Sequence, residues 1–299
     1  MKYRLLLSFI LLLTIKNVAA QSMPSVVVSI KPIHSIVTAL MSGIVEPQLL
    51  LKSNNSAHTF HLKPSQMRML TNADLVIIIS EDFESGLRKA IKNIENDSLF
   101  QITSLGNLNI HKSRSEILYS KEHEEHEESI YDLHLWLDIN NTKLIAKHIS
   151  ELLIKIDPIN EAKYNNNFLE LMLDLEELKI DLKKEIAPFL NRQFAVFSDT
   201  TQYFEKSMNF LRPIIITPYH GARLSIIRTL MAKEAMSDLS VSCLLYGQEA
   251  KPNQISVLLE GLSLKTFEID IMGTKYPAGP DQYFNLMKRI SSQLASCLK

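Results

Sequence analysis

Short β-branched apolar runs and amphipathic runs of helical spacing take turns along this chain. "SVVVSI", Ser25 to Ile30, predicts a buried strand, and after Lys31-Pro32 the spacing turns helical through "HSIVTALMSG", which stops at Gly43. The run "EPQLLLKS" leads into a polar loop, "PSQMRMLTNA" predicts a helix, and "DLVIIIS" predicts a fully buried strand of the parallel type. From Asp157 to Phe189 the pattern changes. Phe168, Leu171, Leu175, Leu178 and Leu182 fall at helical spacing with no glycine between, and Pro158 stands at a first-turn position, so one long helix is expected. A coiled coil is the alternative, but the stripe covers too few heptads to favour it. The alternation then resumes, with strands at "QFAVFSD", "PIIIT", "VSCLLYG" and "KTFEID" and helices at "TQYFEKSM", "ARLSIIRTLMAKEA" and "DQYFNLMKRISSQLAS". Alternating units of this kind build parallel sheets covered by helices. The predicted fold class is α/β: two lobes, each a parallel sheet flanked by helices, joined by one long rigid helix.

Composition and charge narrow the function classes. The 299 residues are 46% hydrophobic, enough for a large core, and the 32 basic against 33 acidic side chains leave no electrostatic footprint for nucleic acid. The N-terminus departs from the rest: Lys2 and Arg4 precede the apolar run Leu5 to Ile15, and Val18-Ala19-Ala20 offers a small-residue cleavage pattern. That run is short of the roughly 20 residues a spanning helix needs, so a cleaved secretory signal over residues 1–20 is expected. Gln21 rather than a cysteine follows the cut, which argues against a bacterial lipid anchor and for a free protein in the periplasm. The expected divisions are an N-terminal lobe over 21–156, the linking helix over 157–190 and a C-terminal lobe over 191–299. Cys243 and Cys297 are the only cysteines; in an oxidising compartment they read as one disulfide, with two buried free thiols as the alternative.

Candidate chemistry concentrates where strands hand over to loops. In α/β sheets ligands lie at the carboxyl ends of the strands. "NNSAHTFHLKPSQ" carries His58 and His61, "YDLHLWLD" carries His134 just before a helix expected from about Asn141, and Asp270 closes "FEID". Two neutral imidazoles and a carboxylate from such positions are a usual ligand set for zinc, with one position open. Taken alone, each of these residues is better explained as a solvated, capping or turn residue.

The phrases "VVVSIKPIHSIV", "AHTFHLKPSQMRMLTNADLVI", "DLHLWLD", "VFSDTTQYFEK", "FEIDIMGT" and "GPDQYFNLMKRISSQLASCL" run in order from Val26 to Leu298. Together they resemble the zinc and manganese solute-binding family, and within it the zinc-binding periplasmic component of a bacterial ABC uptake transporter. The resemblance implies metal ligation by His58, His134 and Asp270, a Cys243–Cys297 disulfide as in the zinc branch, Zn2+ as cargo with Mn2+ ranked below it, and a membrane permease as partner for a monomeric binding protein. One position departs from the family pattern: Ser198 in "FSDTTQYF" stands where the family places a third imidazole or a glutamate. Replacement donors are His220 in "PYHGARL", His61 and water. His34 reads as a structural neighbour rather than a ligand, and His111 and His148 as surface residues. "SKEHEEHEES", with His123 and His126, occupies the place of the zinc branch's histidine-rich loop and is equally well read as a solvated acidic insertion.

An enzyme is the rival class, since a two-histidine, one-carboxylate metal site can activate water. The chain has no HExxH, no glutamate next to either ligand histidine, no Gly-rich phosphate loop and no serine elbow, so a metallohydrolase is disfavoured. A metal-binding adhesin or zinc buffer on the same fold is the other alternative. A neighbouring permease gene would separate it from a transport component.

Overall fold

The computed structural model describes residues 23–52, 60–114, 131–217 and 224–299. The signal segment, His58, the stretch with His123 and His126, and His220 lie outside the described residues.

The first sheet is built from β1 (Val26–Val28), β2 (Gln48–Leu49), β3 (Leu75–Ile78) and β4 (Leu99–Gln101), all parallel in the order β2-β1-β3-β4. Every residue of β1 and β3 is buried, as expected of central parallel strands covered on both faces. Between them run α1 (Lys31–Leu40), α2 (Pro64–Thr71) and the short α3 (Arg88–Ile91). Pro32 and Pro64 occupy first-turn positions, where the missing N–H costs nothing. α1 ends just before Gly43, whose φ of 73° is the left-handed geometry glycine tolerates.

A two-stranded antiparallel ribbon, β5 (His111–Lys112) with β6 (Tyr131–Asp132), follows, and leads into α4 (Ile139–Ile156). The Asp138 carboxylate caps α4 by accepting from the Asn140 amide at 2.8 Å, two residues before the start expected from sequence. The long helix α5 (Glu161–Ile186) spans 26 residues, flanked by 3-10 turns at Pro158–Asn160 and Ala187–Phe189. At ~1.5 Å per residue it is about 39 Å long. Leu171, Leu175, Leu178 and Leu182 form its buried stripe, packed against α1, α4 and the C-terminal helix.

The second sheet repeats the plan with β7 (Ala195–Ser198), β8 (Ile214–Thr217), β9 (Cys243–Tyr246) and β10 (Lys265–Glu268), parallel in the order β10-β9-β7-β8. Its helices are α6 (Gln202–Met208), α7 (Ile226–Asp238), α8 (Pro252–Leu259) and α9 (Gln282–Leu298). α9 packs on β9 and β10 and also on α1 and α5, so the last helix joins both halves to the linking helix. Cys243 and Cys297 form a disulfide between β9 and α9, with 5.5 Å between their Cα atoms, which resolves the two thiol readings in favour of the bridge. Closing a loop of this length contributes on the order of 4 kcal/mol in the chain-entropy view. Among the described residues no helix is long and apolar enough to cross a membrane.

Candidate metal centre

Of the sequence-predicted residues, the structure brings together the turns that carry His134, after the ribbon strand β6, and Asp270, after β10. His134 follows β6 by two residues and opens the 3-10 turn Leu135–Leu137. It is buried, and Asp132 fixes it twice: Asp132 Oδ1 accepts from the His134 amide at 3.0 Å and lies 2.7 Å from Nδ1. Asp132 is itself held by ribbon pairing to His111 and by the Tyr203 hydroxyl, which donates to its carbonyl at 2.6 Å. A carboxylate beside Nδ1 places the ring hydrogen there, and Nε2 then carries the lone pair a metal needs. Phe83 and Trp136 meet the imidazole edge-on at 5.7 and 5.4 Å between centroids, which fixes the ring plane.

Phe60, two residues beyond His58, is buried, and its carbonyl packs so closely on Gly86 that any side chain at Gly86 would collide with it. Phe60 is thereby fixed against the short helical turn Ser85–Leu87 that follows Phe83. His61 is exposed. His58 and His220 are outside the described residues, so neither is located here.

Asp270 sits just past β10, half-buried, in a tight turn. Its Oδ1 accepts from the Met272 amide at 3.1 Å, and its Oδ2 from the Thr274 amide at 2.6 Å and the Thr274 hydroxyl at 2.8 Å. Gly273 makes the turn possible, with φ 62° and Gln282 packed where a side chain would stand. Trp136 Nε1, two residues past His134, donates to the Ile271 carbonyl at 2.9 Å, so the turns carrying His134 and Asp270 are bonded to each other. Lys31, at the start of α1, donates to the carbonyls of Thr274 and Tyr276 at 3.0 and 2.8 Å. Burial lowers the Lys31 pKa, and the Asp270 charge pulls it partly back.

Ser198 ends β7 with its hydroxyl 3.1 Å from Thr217 Oγ1, which donates to the Phe197 carbonyl. The next residue, Asp199, is engaged by Arg114, whose Nε lies 2.9 Å from Oδ1 and whose Nη1 lies 2.7 Å from Glu205 Oε2. Burial works against the Arg114 charge, but Glu205 and Asp199 outweigh it and hold the guanidinium pKa above its ordinary value. His34 is structural: Nε2 lies 3.0 Å from the Pro47 carbonyl, and burial pushes its pKa down. His111 is not a plain surface residue, since its ring packs on Tyr203 at 4.8 Å. His148 is half-buried, beside Glu151 and Phe100.

Among the described residues no three His, Cys, Asp or Glu side chains form a group that holds a metal by themselves. Of the candidate ligands, His134 and Asp270 are described, on turns bonded to each other. Asp132 was absent from the sequence-based ligand set, although its Asp-x-His spacing is the local signal that marks it. Lys31 and Trp136 have no such signal, because their partners lie more than a hundred residues away.

The family model described as zinc-uptake complex component A, periplasmic, matches residues 26–297. A high-affinity zinc uptake system protein ZnuA of Brucella abortus is 27% identical over 311 residues, covering 91% of this chain and 91% of that protein. Among solved structures, a crystal structure of ZnuA superposes with a TM-score of 0.77 at 19% identity, covering 93% of this chain and 100% of that one. A Mn-bound periplasmic metal binding protein from Candidatus Liberibacter asiaticus superposes with a TM-score of 0.74 at 18% identity, covering 92% and 100%.

Proposed function

Because the chain belongs to the zinc-uptake complex component A periplasmic family, we propose that it captures zinc between its two lobes and delivers it to the membrane permease of an ABC transporter. The observation that carries this reading is the buried Asp132–His134 pair, an imidazole oriented for ligation on a turn bonded to the turn of Asp270. His58 and His134 from the first lobe and Asp270 from the second are the inferred ligands, with His220 as fourth donor ahead of His61 or water. Zinc is the inferred cargo ahead of manganese, since imidazole suits zinc better than the hard, oxygen-seeking Mn2+. The Mn-bound neighbour is a reminder that this fold serves both.

We read the role as carriage rather than catalysis, since the family is one of solute-binding transport components and Asp132 is committed to orienting His134. The protein is inferred to act as a monomer in the periplasm, without nucleic acid, after loss of residues 1–20. The division into lobes over 21–156 and 191–299 with a linking helix over 157–190 is supported by the positions of the two sheets and α5.

Competitive zinc titration of the mature chain tests the site. One tight zinc is expected for the wild type, with binding abolished by His58→Ala or His134→Ala. Asp132→Ala is expected to weaken it by roughly 10–100-fold, the usual cost of losing a ligand's orienting partner. Equal affinity in the wild type and all three variants would remove the metal from this site.

A further inference from the structure

We infer that Lys31 and Thr274 are positioning residues that make the grip of Asp270 on the metal depend on contact between the lobes. The inference rests on the reading of Asp270 as a zinc ligand and assigns how that ligand is held and let go.

The geometry is a relay through one residue. Lys31 opens α1, directly after the first sheet's central strand β1, and its side chain crosses to the second lobe. Its ammonium donates to the Thr274 carbonyl at 3.0 Å and to the Tyr276 carbonyl at 2.8 Å. Thr274 in turn holds Asp270 Oδ2 with both its amide, at 2.6 Å, and its hydroxyl, at 2.8 Å. One residue is thus anchored by the first lobe through its carbonyl and anchors the ligand carboxylate through its two donors. Lys31 is 8% exposed, so its hydrogen bonds to carbonyls are shielded from competing water and are of the stronger, charge-assisted kind. Within its own lobe the turn is also held by exposed contacts, Gln248 Nε2 donating to the Thr274 hydroxyl at 3.2 Å and Lys275 pairing with Glu268 at 3.5 Å, and farther back by Gln282 at Met272 and Gly273. Trp136 bonds Ile271 from the first lobe, and the Lys31 bonds are the ones that reach the Thr274 and Tyr276 carbonyls across the seam.

The consequence concerns release. Separating the lobes breaks the Lys31 bonds, because they cross the seam. Thr274 then loses its tie to the first lobe, and its amide and hydroxyl hold Asp270 Oδ2 less firmly. A partner that parts the lobes, even slightly, loosens the carboxylate without having to pull on the metal itself. The long helix need not bend for this, since only the turn after β10 moves.

The test is zinc dissociation into excess chelator, followed by stopped flow. Lys31→Met keeps an unbranched apolar stem one atom shorter and removes the donor; it is expected to speed dissociation by about 10-fold or more, as loss of an orienting partner does. Thr274→Val is expected to act in the same direction, and it carries the test if Lys31→Met does not fold. Lys31→Arg, which retains a donor, recovers most of the wild-type rate. Two controls separate positioning from general loosening. Ser35 joins the same lobe seam by donating to the Pro280 carbonyl at 2.7 Å, away from the Asp270 turn, so Ser35→Ala leaves the dissociation rate unchanged. In an Asp270→Ala background, Lys31→Met adds no further acceleration, because residues acting through one group are not additive. An unchanged rate in both Lys31→Met and Thr274→Val, an equal acceleration in Ser35→Ala, or additive effects in the double variant would overturn the inference while leaving the zinc site standing. Wild-type zinc binding that is insensitive to Asp270→Ala would overturn both.

Discussion

Ser198 stands where the resemblance read from the sequence leads one to expect an imidazole, and its surroundings make it a poor replacement for one. Its hydroxyl is paired with Thr217 at the end of the sheet, and Thr217 is spoken for by the Phe197 carbonyl. A zinc ion seeking four donors has to find the last one elsewhere. His220 follows β8, the strand that carries Thr217, and is the proposed donor. His220→Ala is therefore expected to weaken zinc by roughly 10-fold or more, by analogy with the cost of losing lesser partners, and Ser198→His in that variant to restore it, both read by competitive titration. Unchanged binding in His220→Ala together with tighter binding in Ser198→His would assign the position to water. Asp132 makes the complementary point. Its spacing from His134 was visible in "YDLH", but its function is visible only once the ribbon pairs Asp132 with His111 and buries it.

At the scale of elements, what could be read from sequence was what owes its shape to its own pattern. The stripe from Leu171 to Leu182 specifies α5 because a helix of that length must bury one face, and the valine run of β1 specifies a strand covered on both sides. The strand β4, the ribbon β5–β6 and the eight-residue α8 escaped prediction because each is two to eight residues long and is set by its neighbours. Strand ends carry chemistry of their own. Glu84 is fully buried between the carboxyl ends of β1 and β3, accepting from the Ser29 hydroxyl and from the Ile79 and Ser80 amides at 3.0 Å each. Burial outweighs those donors and pushes its pKa from the ordinary 4.5 up to about 7. Because the folded form holds the proton more tightly, this contribution to stability is fully present below about 4.5 and is lost as pH rises through about 7. The stability of the wild type relative to Glu84→Gln is thus expected to fall between pH 5 and pH 8, by at most about 1.4 kcal/mol per unit. Parallel pH profiles for the two proteins in denaturant titrations would contradict it.

For the whole molecule, the decisive features are the bonds that cross between its halves. α9 packs on both lobes' elements, Cys297 ties it to β9, and the Arg114 guanidinium reaches from the ribbon to Asp199 and Glu205 of the second half. A body braced in this way, with α5 as a stiff spine, favours local movement of turns over a wide hinge. Apart from the disulfide, which the two cysteines announced, these contacts had no sequence signal, since each joins residues far apart in the chain whose meeting depends on the finished fold. Zinc is proposed to be held where these halves meet, by His58 and His134 from one and Asp270 from the other. Anomalous diffraction at the zinc edge, from crystals of the zinc-loaded mature chain, tests that placement directly. A single strong peak is expected about 2.0–2.2 Å from an imidazole nitrogen of each histidine and from an Asp270 oxygen. A peak located elsewhere, such as among the acidic residues around His123 and His126 alone, would contradict it.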